Sequence, residues 1–134
     1  MPNWCYNRVN VYGDADTVDQ VKEIYEIFEN NNDPFHKIFP IPDFKNIPND
    51  KGELPILEQH KNDDRWYHWC IENWGTKWDV SELDIEYDEE VLELTFSTAW
   101  SPPEGIIEKL REKYPDLSFT CFYDEPGMEV AGYY

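Results

Sequence analysis

The spacing of apolar residues switches between period two and period 3.6 in an order that leaves few folds open. Residues Trp4 to Tyr12 alternate, with Cys5, Val9 and Val11 on one side and Trp4, Tyr6, Arg8 and Tyr12 on the other, as in a half-buried strand. Gly13 ends that run. After Asp14 or Asp16 as a cap, Val18, Val21, Ile24, Tyr25 and Phe28 recur at helical spacing until Asn30-Asn31-Asn32-Asp33-Pro34 stops the helix. Trp78 to Asp88 and Val91 to Trp100 alternate again and read as paired strands, the second with Leu92, Leu94 and Phe96 inward and Asp88-Glu89-Glu90 as the turn. Ser101-Pro102-Pro103-Glu104 then supplies a Ser cap, proline at the first helical position and Glu three residues on, which predicts a capping box. Ile106, Ile107, Leu110 and Tyr114 form the apolar side of the helix it opens. Leu117, Phe119, Cys121 and Tyr123 alternate as a last main strand, and Glu125-Pro126-Gly127-Met128 predicts a type II turn into a short returning segment.

Strand, helix, strand, strand, helix, strand is the α+β ferredoxin-like split βαβ pattern (βαββαβ), one sheet with both helices on one face. At 134 residues the chain fits a single domain over 1–134. An aromatic, proline-rich insertion at about 35–77 separates the first helix from the second strand. Pro40, Pro42, Pro48, Pro55 and Gly52 exclude a long helix or central strand between Phe35 and Lys61. Phe35, Ile38, Phe39, Ile41 and Phe44 are too apolar for free linker, so the first half should pack back on the domain. The sheet face away from the helices is left open or covered by the insertion, and the plain reading of Trp4, Tyr6 and Arg8 on it is that the insertion covers them. From Asp63 or Asp64 as cap, Trp66, Trp69, Cys70 and Trp74 share one face of a short helix that Gly75 terminates.

Charge narrows the function classes. With 11 basic and 29 acidic residues the net charge is -18, which repels phosphate backbones and argues against general nucleic-acid or anionic-membrane binding. No stretch approaches the ~18 apolar residues of a membrane span, and Met1-Pro2-Asn3-Trp4 lacks the look of a signal peptide. Cys5, Cys70 and Cys121 are widely spaced and form no Cys-x-x-Cys pair, so reduced thiols in a cytoplasmic protein are expected rather than a zinc or redox site. His68 and Cys70 lie two apart and face different ways on a helix, while His36 and His60 sit in the insertion without a partner. No catalytic set, metal or cofactor is assigned.

Four motifs carry a family resemblance. Pro2-Asn3-Trp4-Cys5 with Asn7-Arg8, Pro40-Ile41-Pro42, Trp74-Gly75-Thr76-Lys77-Trp78-Asp79 and Thr98-Ala99-Trp100-Ser101-Pro102-Pro103 resemble the YubB-like ferredoxin-like domain family, and Tyr123, Glu125 and Gly127 fit it too. The resemblance implies a ferredoxin-like fold in a protein of a phage, plasmid or other bacterial mobile element, with no established activity to transfer. "Ferredoxin-like" names topology only, since the four cysteines of an iron–sulfur cluster are missing.

Two surfaces stand out as candidate sites, both for binding rather than turnover. The first is the acidic middle hairpin, where Asp84, Glu86, Asp88, Glu89, Glu90 and Glu93 form a negative ridge, with Asp79 and Glu82 just before it. Such a ridge is ordinarily a solvated, aggregation-resistant edge. In a mobile-element protein it also suits an accessory or counter-defence factor that occupies a host or defence protein with a basic surface. The second is a pocket in which Trp74, Trp78 or Trp100 stacks a small anionic planar, nucleotide-like ligand while Lys77 and Arg8 neutralise it. The structural alternative is that both indole-rich corners simply join the insertion to the sheet.

Overall fold

A computed structural model describes residues 3–49, 51–52, 54 and 64–134. Pro2, Pro55, His60, Lys61 and Asp63 lie outside the described residues. The elements run β1 (Trp4–Tyr12), α1 (Val18–Asn30), α2 (Pro34–Ile38), α3 (Arg65–Asn73), β2 (Ser81–Asp88), β3 (Val91–Ala99), α4 (Glu104–Lys113), β4 (Ser118–Glu125) and β5 (Val130–Tyr133). The sheet is antiparallel in the order β2-β3-β1-β4-β5, so the ferredoxin-like arrangement of four strands gains a short fifth at one edge. The α+β ferredoxin-like fold read from the periodicities is the fold observed.

One face of the sheet carries the core. Val9, Val11, Leu92, Leu94, Phe96 and Cys121 point to the helices and meet Val21, Ile24 and Phe28 of α1 and Ile106, Ile107 and Leu110 of α4, all of them buried. Burying one such aliphatic side chain contributes about 1.5–3 kcal/mol, which is why the two amphipathic stripes determine where both helices dock. Tyr25 of α1 stacks on Tyr87 of β2, with ring centroids 4.2 Å apart and planes 9° apart.

Helix and turn chemistry departs from the sequence reading in four places. Neither Asp14 nor Asp16 caps α1: Thr17 holds the cap position, and its hydroxyl accepts the Asp14 amide at 2.8 Å. Ser101 does not cap α4. Pro103 occupies the cap position, no side chain bonds an amide there, and the Ser101 hydroxyl donates to the Gly75 carbonyl instead. Asp64 holds the cap position of α3, but its Oδ2 lies 3.2 Å from His68 Nε2 rather than on an amide. After β4 the chain makes a 3-10 turn over Pro126–Met128, and the left-handed residue is Glu129 at φ 55 rather than Gly127, so the turn is not type II.

Among the described residues, the insertion does not cover the outward rings of β1. It packs on the helical side: Phe35 is fully buried, edge-on to Trp74 and to Phe96 at 5.8 and 5.7 Å. Phe39 meets Trp69 at 5.0 Å, and its carbonyl accepts the Trp74 indole N–H at 2.8 Å. An indole whose N–H is satisfied in the interior is a strong anchor, so the excursion is drawn inward rather than across the sheet.

Candidate interaction site

The two tryptophan motifs meet each other. Thr76, fully buried, donates its hydroxyl to Ala99 O at 2.9 Å, and the Gly105 amide donates to Trp74 O at 3.0 Å. Gly75 takes φ +90, and a Cβ built on Gly105 would stand 1.7 Å from Asn73 O, so both positions need glycine. The joint continues into a buried polar chain: Thr98 donates to Ser101 O at 2.7 Å, Asn7 donates to Thr98 Oγ1 at 2.9 Å, and the Tyr134 hydroxyl donates to Asn7 Oδ1 at 2.9 Å. The corner motifs are therefore largely structural, and the side chains of Asn7, Thr76, Thr98 and Tyr134 each have a hydrogen-bond partner.

This geometry brings Trp74, Lys77 and Trp78 of the expected ligand pocket to one cavity and leaves Trp100 and Arg8 outside it. Trp74 is only 2% exposed, with Phe35 and Trp69 edge-on to it, yet it forms part of the wall of that cavity. Lys77 and Trp78 line the same cavity, of about 350 Å³, together with Ile41, Trp66, His36, Asp33 and Asp79. There the Lys77 ammonium sits 4.3 Å from the centroid of the Trp78 ring and occupies the face a ligand would use. Trp100 is exposed and held at φ 71 with its amide on Asn3 O, and it lines none of the cavity around Lys77. Arg8 lies on the opposite face of the sheet from the helices and lines a different cavity.

Asp79 also leaves the acidic ridge. Its carboxylate accepts the amides of Phe35 at 3.0 Å, His36 at 3.1 Å and Val80 at 2.9 Å, and so caps the first turn of α2. Burial pushes its pKa up from the ordinary carboxylate value, against the opposing pull of those three amides.

The six ridge residues do converge. Asp84, Glu86 and Asp88 are exposed and share one face of β2, opposite Thr95, Glu93 and Val91 of β3, and Glu89 and Glu90 form the two-residue loop between the strands. Glu86 stands directly across from Glu93. Like charges in that position destabilise a sheet, so this arrangement is not one that stability favours.

Sequence reasoning missed the aromatic side of the same face. Beside Tyr6, Arg8 and Tyr12 of β1 lie Phe122 of β4 and Tyr133 of β5, whose rings meet edge-on at 5.2 Å. Tyr6 is 51% and Tyr133 75% exposed. Trp4 approaches Trp78 at 6.3 Å at the end of the strip. A cavity of about 370 Å³ crosses its centre, lined by Tyr6, Arg8, Glu82, Thr95, Phe122 and Asp124. Phe122 was legible as the outward neighbour of Cys121 and Tyr123; the pairing of Tyr133 with it depends on the turn at Pro126–Met128, which the sequence reading had otherwise.

Among the described residues, no helix is long and apolar enough to cross a membrane, and no group of three or more His, Cys, Asp or Glu side chains is placed to hold a metal ion. A five-stranded antiparallel sheet with helices packed on one face and an aromatic and acidic strip on the other defines a ferredoxin-like α+β domain. Residues 73–134, which include the hairpin and the last two strands, match the family model described as the ferredoxin-like domain in Api92-like protein. The crystal structure of protein api92 from Yersinia pseudotuberculosis is similar over 99% of this chain and 93% of that one, with a TM-score of 0.61 at 11% sequence identity. No curated protein matches. The resemblance read from the motifs thus stands as a ferredoxin-like domain, similar over residues 73–134 to that of Api92-like proteins rather than to YubB-like proteins specifically.

Proposed function

We propose that this protein acts by binding, as an accessory or counter-defence factor of a bacterial phage or plasmid that occupies a basic host or defence protein in the cytoplasm. The observation that carries this reading is the joining of the carboxylates of the β2–β3 hairpin to an uncovered sheet face with exposed rings. Acidic groups steer and select a basic partner, and tyrosines supply contact area at low entropic cost. The opposed pair Glu86 and Glu93 supports it further, because a face shaped by stability alone would not place them so. The motif likeness to YubB-like proteins supports the mobile-element setting. The test is affinity capture from bacterial lysate at low and high salt, beside a variant carrying Glu86→Lys, Glu89→Lys and Glu93→Lys. A partner of basic isoelectric point, recovered by the native protein, released by salt and absent from the variant, is expected. Equal recovery by both proteins overturns the reading.

The cavity beside Trp78 and Lys77 supports a second, smaller reading, capture of a planar anionic molecule. Trp66 and Trp78 fluorescence titrated with a nucleotide panel tests it, with quenching expected to vanish in Lys77→Ala. The carboxylates of Asp33 and Asp79 in that cavity oppose an anion, which is why the basic-partner reading comes first.

A further inference from the structure

Among the described residues β2 is the outermost strand of the sheet, eight residues long, whereas the other edge, β5, has only four. An edge strand presents unpaired amides and carbonyls to any extended chain that fits beside it. What fits is constrained by the alternation along β2. Asp84, Glu86 and Asp88 are exposed on the open face, while Leu83, Ile85 and Tyr87 are half-buried on the helical face and pack against the core. Next to that edge runs a groove of about 480 Å³, lined by Phe28, Val80, Leu83 and Ile85 and by the polar Glu29, Asn31, Asn32 and Asp84.

We propose that the edge of β2 takes a sixth strand from the partner, and that the segment donated alternates basic and apolar residues. Side chains of an added strand follow the pleat of the strand they join, so every second one falls beside Asp84, Glu86 and Asp88 and the others beside Leu83 and Ile85. Lysine or arginine satisfies the first set. Valine or isoleucine satisfies the second and fills the groove. A second copy of this chain is the wrong occupant, because a β2–β2 pair brings two rows of carboxylates together. The acidic row therefore protects the edge against self-association while leaving it open to a strand of opposite charge. The bulge between Ser81 and Asp84 restricts regular pairing to Asp84–Asp88, about the length of a short linear segment.

This inference rests on the basic-partner reading and adds the manner of contact, so the experiment separates the two. The probes are acetyl-Lys-Val-Lys-Val-Lys-Val-amide and its twin N-methylated at every residue, which keeps the charge and removes the backbone donors. In ¹⁵N-resolved NMR the first peptide is expected to shift the amides of Asp84–Asp88 and slow their hydrogen exchange. The methylated twin is expected to bind at least about tenfold more weakly. Asp84→Lys with Glu86→Lys, both exposed positions, is expected to lose the Lys-Val peptide and gain its Glu-Val counterpart. Equal affinity of the two lysine peptides, shifts confined to the Tyr6–Phe122 face, or no binding at all overturns strand addition. Equal affinity leaves charge-driven docking intact, whereas loss of lysate capture with peptide pairing retained sinks the functional reading alone.

Discussion

Asp79 accepts the amide of Phe35 at 3.0 Å across 44 residues of sequence, and through it the entrance of β2 fixes the start of the insertion. A carboxylate on the first turn of a helix satisfies donors that no intrahelical carbonyl reaches, and losing such a cap costs about 1–2 kcal/mol. Asp79→Ala is therefore expected to destabilise the fold by that amount in urea unfolding. The pH dependence follows from the raised pKa of the folded state: the native form binds the proton more tightly than the unfolded chain. Stability from this group is greatest at and below the ordinary carboxylate value near ~3.9 and falls as pH rises through the raised folded value. The difference between native protein and Asp79→Ala should shrink across that window. A difference growing with pH contradicts the assignment.

The contact between Gly105 and Asn73 makes the second expectation. A methyl group on Gly105 meets the Asn73 carbonyl carbon as well as its oxygen, and both are backbone atoms that cannot swing away. Gly105→Ala should cost at least about 3 kcal/mol, in the range of severe overpacking, and separate α3 from α4. Thr76→Val, which leaves the Ala99 carbonyl without its donor, should cost about 1–3 kcal/mol. Thermal melts of the two variants check both values, and a neutral Gly105→Ala refutes the interlocked corner.

These two corners show how far the sequence could be read. The periodicities of Trp4–Tyr12, Val18–Asn30 and Val91–Ala99 report local geometry, so strands and helices are visible without any knowledge of their neighbours. Asp79, Ser101 and Trp74 are different. Each chooses between a local role and a partner 26 to 44 residues away, namely Phe35, Gly75 and Phe39. Burial settles that choice, because the distant partners would otherwise be orphaned in the interior, and burial is a property of the assembled sheet. The same limit hid the uncovered face. Whether the insertion lies over Tyr6 or behind Phe96 depends on where Phe35 finds a cavity, not on its own composition. The acidic ridge was legible because two adjacent strands with a two-residue turn fix their register between themselves.

The three thiols give a simple chemical check. Cys5, Cys70 and Cys121 are unpaired and buried, and burial raises each to about 11. The thiolate is the reactive form, so at neutral pH none should react with a water-soluble disulfide reagent in the native state, and all three should react in denaturant. Fast labelling of one thiol in the native protein shows that its strand or helix is not packed as described.

Glu89 in the loop of the acidic hairpin has φ 44, a left-handed conformation that disfavours a residue with a Cβ. Two-residue hairpin loops ordinarily place glycine or asparagine at such a position. Glu89→Gly should therefore raise stability by about 0.5–1 kcal/mol, since the loop is exposed and the glutamate side chain has little packing to lose. If the ridge exists to meet a basic partner, the same substitution removes one carboxylate from its tip and weakens capture while the protein becomes harder to unfold. Opposite signs for stability and binding are what strain retained at a functional loop predicts. A Glu89→Gly protein more stable and equally able to capture the partner instead assigns the acidic tip to solubility alone.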